Sequence, residues 1–65
     1  MLRLRQERIS RGWTQEFVAE QIGTSHSAVQ MMETGQRKPS YDVLVKLEDL
    51  FGMTHRELFG EGAKP

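Results

Sequence analysis

Apolar residues recur along this chain at helical spacing, and small polar residues and glycines cut the pattern into short pieces. The first piece is a helix over residues 2–11, with Leu4 and Ile9 expected inward and Gly12 as its stop. Trp13 follows at once and is expected to fill the space between the first two helices. Thr14 opens a second helix over residues 15–22, because its hydroxyl can accept from an early backbone N–H. Val18, Ala19 and Ile22 fall at i, i+1 and i+4 and make one narrow inward face. Ala19 is small enough to let another helix approach closely. Gly23 ends this helix and can take the left-handed conformation that a sharp turn needs.

Ser25 caps a third helix over residues 26–33, with Val29 and Met32 on its apolar face and Gly35 as its stop. A polar loop, QRKP, leads to Ser40, the cap of a fourth helix over residues 41–51. Tyr41, Leu44, Leu47 and Phe51 repeat there at intervals of 3, 3 and 4, which predicts an inward stripe ending at Gly52. Thr54 and Glu57 form a capping box for a short fifth helix carrying Leu58 and Phe59. The sum is an all-α, compact five-helix domain over residues 1–60, with 61–65 as a flexible tail or the start of a linker. Within it, residues 14–39 hold two amphipathic helices joined by a tight turn. Such a unit projects its second helix outward on a rigid support, the geometry that places a helix in the DNA major groove.

Sixty-five residues allow one domain, and one of this size buries only roughly 60% of its unfolded surface. Local helical contacts let such chains fold regardless. The absence of cysteine excludes disulfides, thiolate metal sites and a cysteine nucleophile, and suits a reducing cytoplasm. The apolar runs are far shorter than the roughly 20 residues that span a bilayer, so no membrane partner is expected. The opening MLRLRQER is charged and lacks an apolar core, so it does not read as a signal peptide. No Gly-rich phosphate loop and no HExxH occur, and His26 and His55 fall on separate helices. No enzyme, metal, cofactor or small-molecule substrate is therefore expected.

Nine basic and nine acidic residues give a formal net charge of zero, whereas a DNA-binding domain is usually basic. The distribution is more informative than the sum. Arg3, Arg5, Arg8 and Arg11 face only Glu7 within residues 1–12, and Arg37, Lys38 and Lys46 face only Asp42 within 36–46. Between them, residues 13–35 hold Glu16, Glu20 and Glu33 and no Lys or Arg.

An ordered set of short motifs runs through most of the chain. It comprises Arg8, GWTQ at 12–15, VA at 18–19, GTS at 23–25, Val29, METG at 32–35, RKPS at 37–40 and FGMT at 51–54. No tripeptide among them is specific, but their order and spacing are. The chain resembles the phage repressor and Cro type of helix-turn-helix domain, also called the xenobiotic-response-element family, over about residues 4–59. The resemblance implies a lambda-repressor-like fold with helices 2 and 3 as the helix-turn-helix.

It also implies roles. Gln15 would reach a phosphate at the groove edge, where a helix N-terminus favours an anion; the plain alternative is a solvated glutamine. His26, Ser27 and Met31 would face base edges, with Gln30 toward the flank. His26 can donate to a guanine acceptor, Ser27 can donate or accept, and Met31 can pack on a thymine methyl unless it belongs to the core. Ser25, Ala28, Thr34, Gly35, Arg37 and Lys38 would lie along the sugar-phosphate backbone, Ala28 and Gly35 by permitting close approach. Arg8 and Glu33 would form a structural ion pair, with Arg8 as a phosphate ligand the other reading. Trp13 reads as core rather than as a stacking platform. Phe17 either packs on the first helix or belongs to an interface. The third helix carries no Arg, Lys or Asn, so only Gln30 could make a bidentate base contact. Modest discrimination or use of DNA shape is expected.

The leading expectation is a cytoplasmic, sequence-specific transcriptional regulator, a repressor, binding double-stranded DNA as a homodimer without a cofactor. Leu50, Leu58 and Phe59 are candidates for the dimer face, with core packing as the alternative. The rival is a protein-interaction module on the same fold, favoured by the zero net charge and the acidic centre. A third reading is the N-terminal DNA reader of a longer protein.

Overall fold

Three hydroxyls and a series of left-handed glycines set most helix ends. Thr14, Ser25 and Ser40 are each extended, and their side chains accept from the backbone N–H of Phe17, Ala28 and Val43. These caps open α2 (Gln15–Ile22), α3 (His26–Thr34) and α4 (Tyr41–Phe51), which lie between α1 (Arg3–Ser10) and α5 (His55–Phe59). At α5 the capping box is reciprocal: the Thr54 N–H donates to Glu57 Oε1 at 2.9 Å and the Glu57 N–H donates to Thr54 Oγ1 at 3.2 Å. The computed structural model describes residues 3–59, all-helical with no strand among them. The expected start at Leu2 and the tail at 61–65 lie outside the described residues.

The turn between α2 and α3 depends on Gly23, whose φ of 70° is unfavourable for any residue with a Cβ. With that turn made, the Thr24 N–H reaches back to the Ala19 carbonyl at 2.9 Å. Gly35, at φ 82°, ends α3 the same way, and the Gln36 N–H donates to the Met31 carbonyl at 2.9 Å.

Every helix contributes to one core. It contains Leu4 of α1, Val18, Ala19 and Ile22 of α2, Val29 and Met32 of α3, Leu47 and Phe51 of α4, and Leu58 of α5. Trp13 packs against it, its ring centroid 5.3 Å from those of both Phe17 and Phe51. Phe17 packs against the core as well, beside Trp13.

Two expectations about inward residues and one about the dimer face are corrected. Ile9 is 51% exposed, because the buried line of α1 runs through Leu4 and Arg8, four residues apart, and Ile9 points about 100° away from it. Tyr41 is 79% exposed. The inward line of α4 runs through Val43, Leu47 and Phe51, with Leu50 beside it, and Tyr41 lies off that line. Leu58, a candidate for a dimer face, is 0% exposed and belongs to the core. A five-residue helix has few positions with which to hold itself down, and Leu58 is the buried anchor of α5.

Candidate nucleic-acid interface

The outward face of α3 follows from its inward one. Ala28, Val29, Met32 and Glu33 are buried, which leaves His26, Ser27 and Gln30 exposed and Met31 half-buried. Ala28 requires a correction. It is 4% exposed, and its N–H donates to the Ser25 hydroxyl at 3.1 Å, so neither its methyl nor its amide is presented to a phosphate. The Ser25 hydroxyl accepts that bond and keeps its own O–H free to donate.

Beneath this face lies a buried ion pair. Arg8 Nε donates to Glu33 Oε2 at 2.5 Å and Arg8 Nη2 to Glu33 Oε1 at 3.2 Å, a two-pronged contact with side chains only 10% and 1% exposed. Arg8 Nη1 also donates to the Trp13 carbonyl at 2.7 Å. The guanidinium thus clamps the end of α3 to α1 and to the α1–α2 link. It is spent inside the fold, so it does not serve as a phosphate ligand.

The same carboxylate holds Gln15. Gln15 Nε2 donates to Glu33 Oε1 at 3.0 Å, and Gln15 Oε1 lies 2.7 Å from His26 Nε2. Gln15 and His26 are the first residues of α2 and α3, so this bridge ties together the two helix starts that flank the turn. One amide proton of Gln15 is committed to Glu33, and the second remains for an outside acceptor. On its other side, His26 Nδ1 is 3.7 Å from Glu16 Oε2. Sequence reading missed both partners of Gln15 and the approach of Glu16. Residues 15, 26 and 33 belong to two helices, and no periodicity within one helix joins them.

The loop after α3 is polar and open. Thr34, Gly35, Gln36, Arg37 and Lys38 are all exposed. The Thr34 hydroxyl turns back on its own helix, donating toward the carbonyls of Met31 at 3.1 Å and Gln30 at 3.3 Å. It would have to rotate to reach a phosphate.

Other charges are engaged elsewhere. Arg11 Nη1 donates to Glu7 Oε1 at 2.6 Å, and Arg11 Nη2 to the Phe51 carbonyl at 2.9 Å, with the guanidinium 5.0 Å from the Phe51 ring. The Arg11 hydrogen bond, helped by one from Arg3, holds the Glu7 carboxyl below its ordinary range. Glu48 is likewise lowered, first by the His55 backbone N–H and then by the His55 ring. No group of side chains suited to hold a metal ion occurs among the described residues, and no helix there is long and apolar enough to cross a membrane.

A family model described as helix-turn-helix matches residues 4–58. The chain belongs to the helix-turn-helix family. It is 36% identical over 58 residues to the HTH-type transcriptional regulator AnsR of Bacillus subtilis, covering 89% of this chain and 50% of that protein. It is 35% identical over 63 residues to the HTH-type transcriptional regulator PuuR of Escherichia coli, covering 97% of this chain and 34% of that protein. A PuuR of Shigella flexneri matches to the same degree. The chain therefore spans half the length of the first of these relatives and about a third of the other two.

Proposed function

We propose that this helix-turn-helix protein is a sequence-specific DNA-binding transcriptional regulator that lays α3 in the major groove. The observation that carries the reading is the outward face of α3. His26, Ser27 and Gln30 stand exposed on a helix whose opposite face is buried, and the exposed cations Arg37 and Lys38 follow on the adjoining loop. A helix of this kind meets base edges with its leading end while the loop follows the phosphates. Gln15, Ser25 and Gly35 adjoin that face and serve the backbone, and Met31 offers its sulfur end to a thymine methyl. The regulator acts in the cytoplasm as a repressor, by occupying its site. It binds as a homodimer spanning half-sites about 34 Å apart. Leu50 and Phe59, half-buried beside the core, are the residues left for the dimer face.

The test is a salt titration of binding to random duplex DNA. The affinity falls with salt, and Arg37→Ala with Lys38→Ala makes the logarithmic slope shallower by about 0.9 for each phosphate no longer neutralised. One observation favours the rival, a protein-interaction module. Glu16 is exposed and its carboxylate sits beside His26 at the head of α3, where a phosphate-rich ligand is unwelcome. No binding to duplex DNA at low salt would select that reading.

A further inference from the structure

The bridge from Glu33 to His26 settles which nitrogen of His26 can meet a base. Both Glu33 oxygens accept from the Arg8 guanidinium, and a carboxylate only accepts. The Gln15 group 3.0 Å from it is therefore the amide NH2, and the amide oxygen is turned toward His26. That oxygen also only accepts. His26 Nε2, 2.7 Å away, must carry the hydrogen. In a neutral imidazole the other nitrogen, Nδ1, is then a bare acceptor. The donor expected to reach guanine is already spent on Gln15.

We infer that His26 is a specificity-determining residue that reads its base as an acceptor, through Nδ1, and that Glu33 acting through Gln15 is what sets that tautomer. The inference rests on the DNA-binding reading and adds the class of base edge recognised. In the major groove, the donors are the exocyclic amino groups of adenine and cytosine, whereas guanine and the thymine oxygen offer only acceptors. The neutral ring thus selects adenine or cytosine at one position of each half-site. Glu16, the charged group facing the ring from α2, places its carboxylate 3.7 Å from Nδ1; its side chain is 70% exposed, and it swings into solvent to leave that nitrogen to a base amino group. Gln15 and Glu33 are positioning residues. Without the amide oxygen, nothing holds the hydrogen on Nε2, the Glu16 carboxylate draws one toward Nδ1, and the ring can turn a donor toward guanine as readily as it can accept.

The test has two arms, both at about pH 8, above the range where imidazoles titrate. In the free protein, long-range proton–nitrogen NMR correlations of the His26 ring show hydrogen on Nε2 in the wild type and a mixed pattern in Gln15→Ala. In a selection from a randomised duplex library, the wild type enriches adenine or cytosine over guanine about five- to tenfold at one position. His26→Ala loses that preference. Gln15→Ala binds more weakly and relaxes the same position. Hydrogen on Nδ1 in the wild type overturns the inference, and so does enrichment of guanine or thymine at the His26-dependent position. Retention of no duplex by the wild type overturns the DNA-binding reading, and with it the base contact, whereas a wrong tautomer overturns the inference alone.

Discussion

Arg3, Arg5, Arg8 and Arg11 form one cationic cluster along the chain and Arg37 and Lys38 form another, and folding treats the two differently. In the first, Arg3 and Arg11 both hold Glu7, and Arg8 is locked on buried Glu33. Only Arg5 of that cluster forms no ion pair among the described residues. Arg37 and Lys38 lie exposed on a loop, and neither pairs with a carboxylate among the described residues. Equal charge in one dimension thus becomes internal scaffolding in one place and an available positive edge in the other. A net charge of zero says little about such a molecule, because much of its positive charge is consumed by the fold before a ligand arrives.

Substitutions sharpen this contrast, and the largest effect is expected at the buried pair. Arg8→Met leaves the Glu33 carboxylate without its partner and should cost about 3–5 kcal/mol in urea unfolding. Replacing both residues, as Arg8→Met with Glu33→Leu, should recover much of that loss. If the single and double variants lose the same stability, the stranded charge is not the cause. Arg11→Ala comes next, at about 1–2 kcal/mol, for removal of the Phe51 carbonyl bond and the ring stacking.

A smaller effect concerns pH. Glu7 and Glu48 both have folded pKa values below their ordinary 4.5. For such groups the unfolded chain takes up protons first as pH falls. Their contribution is present above about 4.5 and is lost as pH falls through the lower folded values. The urea midpoint should therefore drop as pH is lowered below that range, and Glu7→Gln with Glu48→Gln should flatten the drop. An unchanged profile in the double variant would show that other carboxylates carry it. The smallest effect on stability is at the other cluster. Arg37→Ala and Lys38→Ala should stay within about 0.5 kcal/mol of the parent in the same unfolding experiment. A larger loss would mean that this loop is scaffolding too, and the contrast would fail.

The helix ends were legible because they are local. Thr14, Ser25 and Ser40 bond an N–H three residues on, and Gly23, Gly35 and Gly52 adopt the left-handed turn that their missing Cβ allows. The α2 and α3 core residues were legible for the same reason, since Val18, Ile22, Val29 and Met32 sit at helical spacing. The apolar character of Ile9 and Tyr41 misled, because side-chain type does not reveal which angular sector of a helix its neighbours will cover. Leu58 and Ala28 went the same way: each lies where another element closes over it.

What the linear chain settles here is therefore the number, length and order of the helices, through hydrogen bonds spanning a few residues. What it leaves open is the partner of each polar group. The link from Arg8 through Glu33 and Gln15 to His26 joins three helices, and it exists only once packing has brought their ends within 2.5 to 3.2 Å. Directional bonds between distant residues require the assembled fold, and in this protein they govern which atoms remain free to meet a ligand.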